Sequence, residues 1–201
     1  FNPKYKRNIM IALIDYGAGN IRSVQNALKR LGVESILTNR PDELRSAEKV
    51  ILPGVGEASF AMNQLRENEL DQLIPSLTQP VLGICLGMQL LCTSSEEGDT
   101  QALGIFDTVV REFEPVLNVP HTGWNSCSIK SSPLFDGISS YDDFYFVHSY
   151  YAELCSNTIA TCDYIQPFSA ALQKDNFFGV QFHPEKSAEI GAKLIQNFLA
   201  L

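Results

Sequence analysis

From Ile9 to Leu91 the chain alternates short runs, apolar at nearly every position, with longer stretches that are apolar only at helical spacing. The short runs are "IMIALID", "VESILT", "KVILPG" and "PVLGIC". A strand apolar at every second position has one face in water, whereas one apolar throughout is buried on both faces. That is the situation of a parallel sheet covered by helices, which the strand–helix alternation also requires. Between the first two runs, Ile21, Val24, Leu28 and Leu31 mark one helix face, with Asn20 as N-cap and Gly32 as C-terminal stop. Another helix is predicted from about Phe60 to Leu77.

After about Glu96 the texture changes. Short β-rich pieces follow, "GIFDTVVREF", "CSIK", "DFYFVHSYY", "TIATC" and "SAALQKDNFFGVQF", separated by Asp, Asn, Gly and Pro. The Lys174-Asp175-Asn176 turn predicts a hairpin. A closing helix places Ile190, Leu194, Ile195 and Phe198 inward. The expectation is an α/β fold with a mostly parallel central sheet flanked by helices, plus additional antiparallel β strands, in one domain.

A net charge of −8 argues against nucleic acid or an anionic membrane as partner, despite a short basic patch at Lys4, Lys6 and Arg7. The apolar run from Ile9 to Ile14 is too short for a signal segment and is followed at once by Asp15. Five cysteines without a CxxC pair, and three scattered histidines, support neither a disulfide framework nor a metal site. A reduced, cytoplasmic protein without metal or cofactor is expected.

Chemistry concentrates at Cys85. In "PVLGICLGMQLLC" the apolar strand pattern gives way to helical spacing at Met88, Leu91 and Cys92, so Cys85 stands on a strand-to-helix turn. Gly83 and Gly87 permit close backbone packing there, and the helix N-terminus favours a thiolate, the nucleophilic form. A thiol nucleophile needs a base. His183 ends the strand "FFGVQF" and continues as "HPEK": Pro184 restricts it to extended geometry, and Glu185 can hold one ring nitrogen while the other faces the thiol. His148, in "YFVHSYY", also ends a strand, and spacing alone leaves it open. Oxyanion donors could come from the Gly54-Val55-Gly56 loop that follows "KVIL". "YGAGN" lacks the third glycine of a dinucleotide fingerprint, which discounts a nucleotide site. Cys92 is expected to pack inside the elbow helix, and Cys127, Cys155 and Cys162 to be core or surface thiols.

Taken together, "GICLG", "FHPE" and the order Cys before His resemble the class I glutamine amidotransferases. "DYGAGNIRSV", "LPGVG", "GICLGMQ", "PHTGWN", "FVHSY" and "FHPEKS" resemble, within that family, the glutaminase subunits of imidazole glycerol phosphate synthases. The resemblance implies a three-layer domain over residues 9–201, with residues 1–8 an extension or leader. It implies that Cys85 attacks L-glutamine, that His183 moves the protons and that Glu185 orients His183. Gln89, Ser149 and Tyr150 would hold the substrate, and Leu86 with Gly54 and Val55 would supply the oxyanion donors. Trp124 and Lys186 would face a partner, the cyclase (β/α)8-barrel subunit of the synthase, in a heterodimer. This chain departs from the pattern at Ala58, where an aromatic is usual and Phe60 follows two residues later. It departs again at Thr122, where Met is commoner.

Overall fold

The computed structural model describes residues 10–17 and 21–201. The expected extension at residues 1–8 and the N-cap at Asn20 lie outside those residues. Chain order begins β1 Ile11–Ile14, α1 Ile21–Arg30, β2 Ser35–Thr38, α2 Pro41–Ser46, β3 Lys49–Leu52, α3 Ala58–Glu67, α4 Leu70–Leu73, β4 Val81–Ile84 and α5 Leu86–Leu90. It continues through β5 Ser94–Ser95, β6 Thr100–Gln101, β7 Val109–Glu112, β8 His121–Ser126, β9 Ser128–Ile129, β10 Asp143–His148 and β11 Tyr150–Ala152. It closes with β12 Thr158–Asp163, β13 Pro167–Lys174, β14 Phe177–Val180 and α6 Ala188–Ala200.

The central sheet has eight strands in the order β2-β1-β3-β4-β14-β13-β12-β9. The first five are parallel, and β13, β12 and β9 continue antiparallel. Every residue of β1, β3, β4 and β14 is buried, as apolar runs require. The pleat divides their side chains between two cores. Ile11 and Leu13 join Val24 and Leu28 of α1 and Leu194, Ile195 and Phe198 of α6. Ala12 and Ile14 join Leu44, Met62, Leu65 and Leu70 on the opposite face. Two smaller sheets, β11-β7-β5-β6 and the ribbon β10-β8, complete the strands.

The predicted hairpin is present, with Lys174 opposite Phe177 and Asp175 at φ 52. The helix predicted from Phe60 to Leu77 is corrected. It starts at Ala58 and stops at Glu67, because the Asn68 side chain donates back to the Gln64 carbonyl at 2.8 Å and Glu69 turns left-handed at φ 57. The chain restarts as α4 and ends in a 3-10 turn at Ile74–Ser76, where Pro75 cannot donate. The break keeps Leu65, Leu70, Leu73 and Ile74 all buried. No described helix is long and apolar enough to cross a membrane.

Candidate active site

β4 delivers Cys85 to the C-terminal edge of the parallel strands. The elbow is sharp, with Cys85 at φ 54 and ψ −110, a conformation that costs a non-glycine residue of order 1–3 kcal/mol. Neighbouring backbone holds it there: the Cys85 N–H donates to Val180 O at 2.8 Å, and Cys85 O accepts from Gln89 N at 3.2 Å. Gly54, Gly83 and Gly87 interlock around it. A Cβ on Gly54 would stand 2.7 Å from Gly87 N, and one on Gly83 would stand 2.7 Å from Gly87 C. Because α5 has only five residues, it contributes a few aligned peptides rather than a long dipole.

His183 lies three residues past the end of β14, a correction to its expected place at a strand end. Gln181 N still bonds Ala170 O on β13, but His183 N bonds Tyr145 O on β10. The backbone thus changes partner between them and carries the imidazole toward the elbow. Phe182 fixes the crossing by stacking on Phe144, with ring centroids 3.9 Å apart. The following 3-10 turn, Pro184–Lys186, folds Glu185 back so that Oε1 lies 2.8 Å from His183 Nδ1, with both side chains 2% exposed. Ser187 Oγ donates to His183 O at 2.7 Å and accepts from Tyr145 N, pinning the turn.

His183 Nε2 is buried and has no hydrogen-bond partner among the described residues. Burial lowers the affinity of this ring for a proton, but the nearby Cys85 sulfur and the Glu185 carboxylate outweigh it and raise its pKa to about 9. His148 is the opposite case. Its Nδ1 meets Tyr150 O at 2.8 Å, which requires an N–H there, and its Nε2 lies 3.0 Å from His121 Nδ1. Burial, and secondarily His121 and His183, push it down to about 3; burial alone pushes His121 down to about 4. Both nitrogens of His148 are committed inside a neutral pair, whereas His183 keeps one free.

A cavity of about 340 Å³ opens over Cys85. Val55, Gly56, Leu86, Gln89, Ser149 and Tyr150 line it together with Cys85, His148 and His183. Gly54 lies one residue back, beside a small void shared with His183 and Glu185. Gln89 is anchored by donating to Tyr150 O at 2.8 Å and to Gln181 Oε1 at 2.9 Å. Trp124 is 54% exposed on β8, opposite Tyr145 in register, and the Lys186 ammonium stands 5.9 Å from the Tyr145 ring. These three form one surface patch outside the cavity.

Two lining or adjoining residues escaped sequence reasoning. Glu97 places a carboxylate in the cavity wall, accepts the Ala58 N–H at 2.8 Å and has its pKa raised, chiefly by burial. Gln181 is fully buried beside Cys85. Its place in "GVQFH", two residues before His183, was the signal that could have found it. Among the other cysteines, Cys92 is wholly buried just past α5, its thiol pushed up by burial, and Cys127 and Cys162 are buried and Cys155 half-buried.

The family model for class I glutamine amidotransferases matches residues 12–201. The imidazole glycerol phosphate synthase subunit HisH of Bacteroides fragilis is 56% identical over 194 residues, covering 95% of this chain and 99% of that one. The protein of the same name from Escherichia coli K12 is 50% identical with the same coverage. Solved structures share the fold at lower identity. A glutamine amidotransferase crystal structure superposes with a TM-score of 0.70 at 19% identity, over 96% of this chain and 97% of that chain. PurLQS of Thermotoga maritima superposes with a TM-score of 0.73 at 17% identity, over 95% of this chain and 97% of that chain. With its cysteine elbow and glutamate-held histidine on that fold, the chain belongs to the class I glutamine amidotransferases.

Proposed function

We propose that this chain is the glutaminase subunit of an imidazole glycerol phosphate synthase, supplying ammonia for histidine biosynthesis. The observation that carries the chemistry is the His183 ring, bound to Glu185 through Nδ1 and left with a free Nε2 beside the Cys85 sulfur. The identity of the synthase rests on the relatives that are half or more identical over 95% of the chain.

Cys85 sulfur attacks the side-chain carbonyl carbon of L-glutamine, and the π electrons move to oxygen. N–H groups of Leu86, the first residue of α5, and of the Gly54-Val55-Gly56 loop receive that charge. As the intermediate collapses and its C–N bond breaks, the amide nitrogen takes from His183 the proton that His183 received from the Cys85 thiol, and leaves as ammonia. His183 then removes a proton from water, which attacks the thioester and releases glutamate and the thiolate. Gln89, Ser149 and Tyr150 hold the amino-acid end of glutamine, and the Glu97 carboxylate complements its ammonium. Trp124 and Lys186 meet the cyclase (β/α)8-barrel subunit, which receives the ammonia and performs the lyase step. Five free thiols suit a reducing compartment, the cytoplasm.

The test is glutamate release from glutamine by the purified chain, alone and with the cyclase subunit. The partner is expected to accelerate it, and Cys85→Ala is expected to abolish it while the complex still forms product from added ammonium salt. Release at the parental rate by a folded Cys85→Ala variant would overturn the proposal.

A further inference from the structure

Gln181 has no solvent exposure, and its polar atoms must find partners inside the protein. Its backbone N–H donates to Ala170 O at 2.8 Å. Its side-chain orientation follows from one backbone carbonyl. Tyr150 O can only accept, so Gln89 must present its nitrogen there, at 2.8 Å. The same Gln89 nitrogen lies 2.9 Å from Gln181, which must therefore present Oε1 to it. Gln181 Nε2 is left facing Cys85 Sγ, at 3.6 Å. A flipped Gln181 would set two donors against each other. Another neighbour of the sulfur, Val147 O at 3.9 Å, can accept only from the protonated thiol.

We infer that Gln181 is a further residue of the active site, whose side-chain amide donates a hydrogen bond to the Cys85 sulfur and so favours the thiolate. The inference deepens the proposed glutaminase chemistry and rests on that reading for its catalytic consequence. The bond is strongest when sulfur carries negative charge, before attack and again as thiolate leaves the thioester. It weakens when the sulfur is a neutral thioester. Gln181 also ties the nucleophile to Gln89, so a substrate group held by Gln89 and the attacking sulfur share one fixed frame.

The experiment is alkylation of Cys85 by iodoacetamide across pH in the full chain, followed by mass spectrometry of the Cys85 peptide. This readout requires no glutamine turnover, so it decides the hydrogen bond even if the glutaminase assignment fails. Gln181→Met keeps similar bulk without a donor. It is expected to slow Cys85 alkylation at neutral pH about tenfold, the scale of one hydrogen bond to a charged group, and to move the profile to higher pH. Gln181→Glu, with a carboxylate facing the sulfur, is expected to slow it further. A profile superposable on the parent in either folded variant would overturn the inference. If neither folds, the Gln181 Nε2H₂ nuclear magnetic resonance signal of the unsubstituted chain serves instead. Movement of that signal with Cys85 ionisation supports the bond, and a signal indifferent to Cys85 overturns it.

Discussion

Replacing Gly87 by Ala tests whether the elbow is built by backbone contact. Gly87 sits in α5, against the end of β3. A methyl there would land on the Leu52 carbonyl, with the Leu52 carbon 2.9 Å away, so backbone would press on backbone. β3 lies between β1 and β4 in the central sheet and cannot yield. The first turn of α5 must move instead, by roughly 1 Å, the difference between such overlap and ordinary packing distance. Overpacking of a core costs 1–3 kcal/mol, and this case, with no flexible side chain to absorb it, is expected at about 3 kcal/mol or more. For a chain of 201 residues that lowers the melting temperature by about 6–12 °C. A nucleophile displaced by about 1 Å is expected to lose on the order of 100-fold in rate. Gly32→Ala is the control. Gly32 has φ +76 with nothing within 4 Å of a new Cβ, so only left-handed strain of about 1 kcal/mol should appear. Melting followed by circular dichroism, together with glutamate release in the presence of the partner, reads both effects. A Gly87→Ala protein that melts within about 2 °C of the parent at full rate would refute the argument.

His183→Asn is expected to lower glutamine hydrolysis by at least about 100-fold, Glu185→Gln by less, and His148→Asn least of the three; a steady-state comparison that ranks His148 first would reverse the assignment of the base. In the folded protein His121 and His148 stay neutral down to about 4 and about 3, below the ordinary 6.5, so the unfolded chain binds more protons in that window. The stability from this pair is complete above 6.5 and is lost as pH falls toward 4, with a slope of at most roughly 2.7 kcal/mol per pH unit; urea midpoints measured from pH 8 to 4 check it. His183 acts with the opposite sign, its contribution being complete below 6.5 and lost as pH rises through about 9. The isolated chain is expected to be a weak glutaminase stimulated by the cyclase subunit, and Lys186→Ala is expected to keep partner binding while losing stimulation; equal rates with and without the partner would refute the switch.

What the residues announced in advance, and what they withheld, divides along one physical line. Periodicity and turn chemistry are local. The buried strands, α1, α6 and the hairpin at Asp175 were therefore legible, and the elbow at Cys85 was legible because its glycines flank it in sequence. α2 was missed although its signals are local too: Pro41 stands at the first helical position, with Asp42 and Glu43 in the first turn. The break after Glu67 depended on an asparagine side chain reaching back to Gln64 O, which apolar spacing does not report. β8 was not recognised because "HTGWNS" is polar and holds a glycine; its six residues become a strand only by pairing with β10. The site divides in the same way. His183 and Glu185 are two residues apart and could be paired from the sequence. The Glu185 spacing favoured His183 over His148 from the sequence, whereas the contact of His148 Nε2 with His121, 27 residues away, was not legible there. Gln181 depends on the longest chain of causes, since Gln89 lies 92 residues away from it and Tyr150 lies 61 from Gln89. A single carbonyl, Tyr150 O, sets the tautomer of His148 and the amide orientation of Gln89, and through Gln89 that of Gln181. That carbonyl belongs to the backbone, so the identity of Tyr150 does not encode its role. The strand pairing of β11 with β7 does, because it fixes where the carbonyl points.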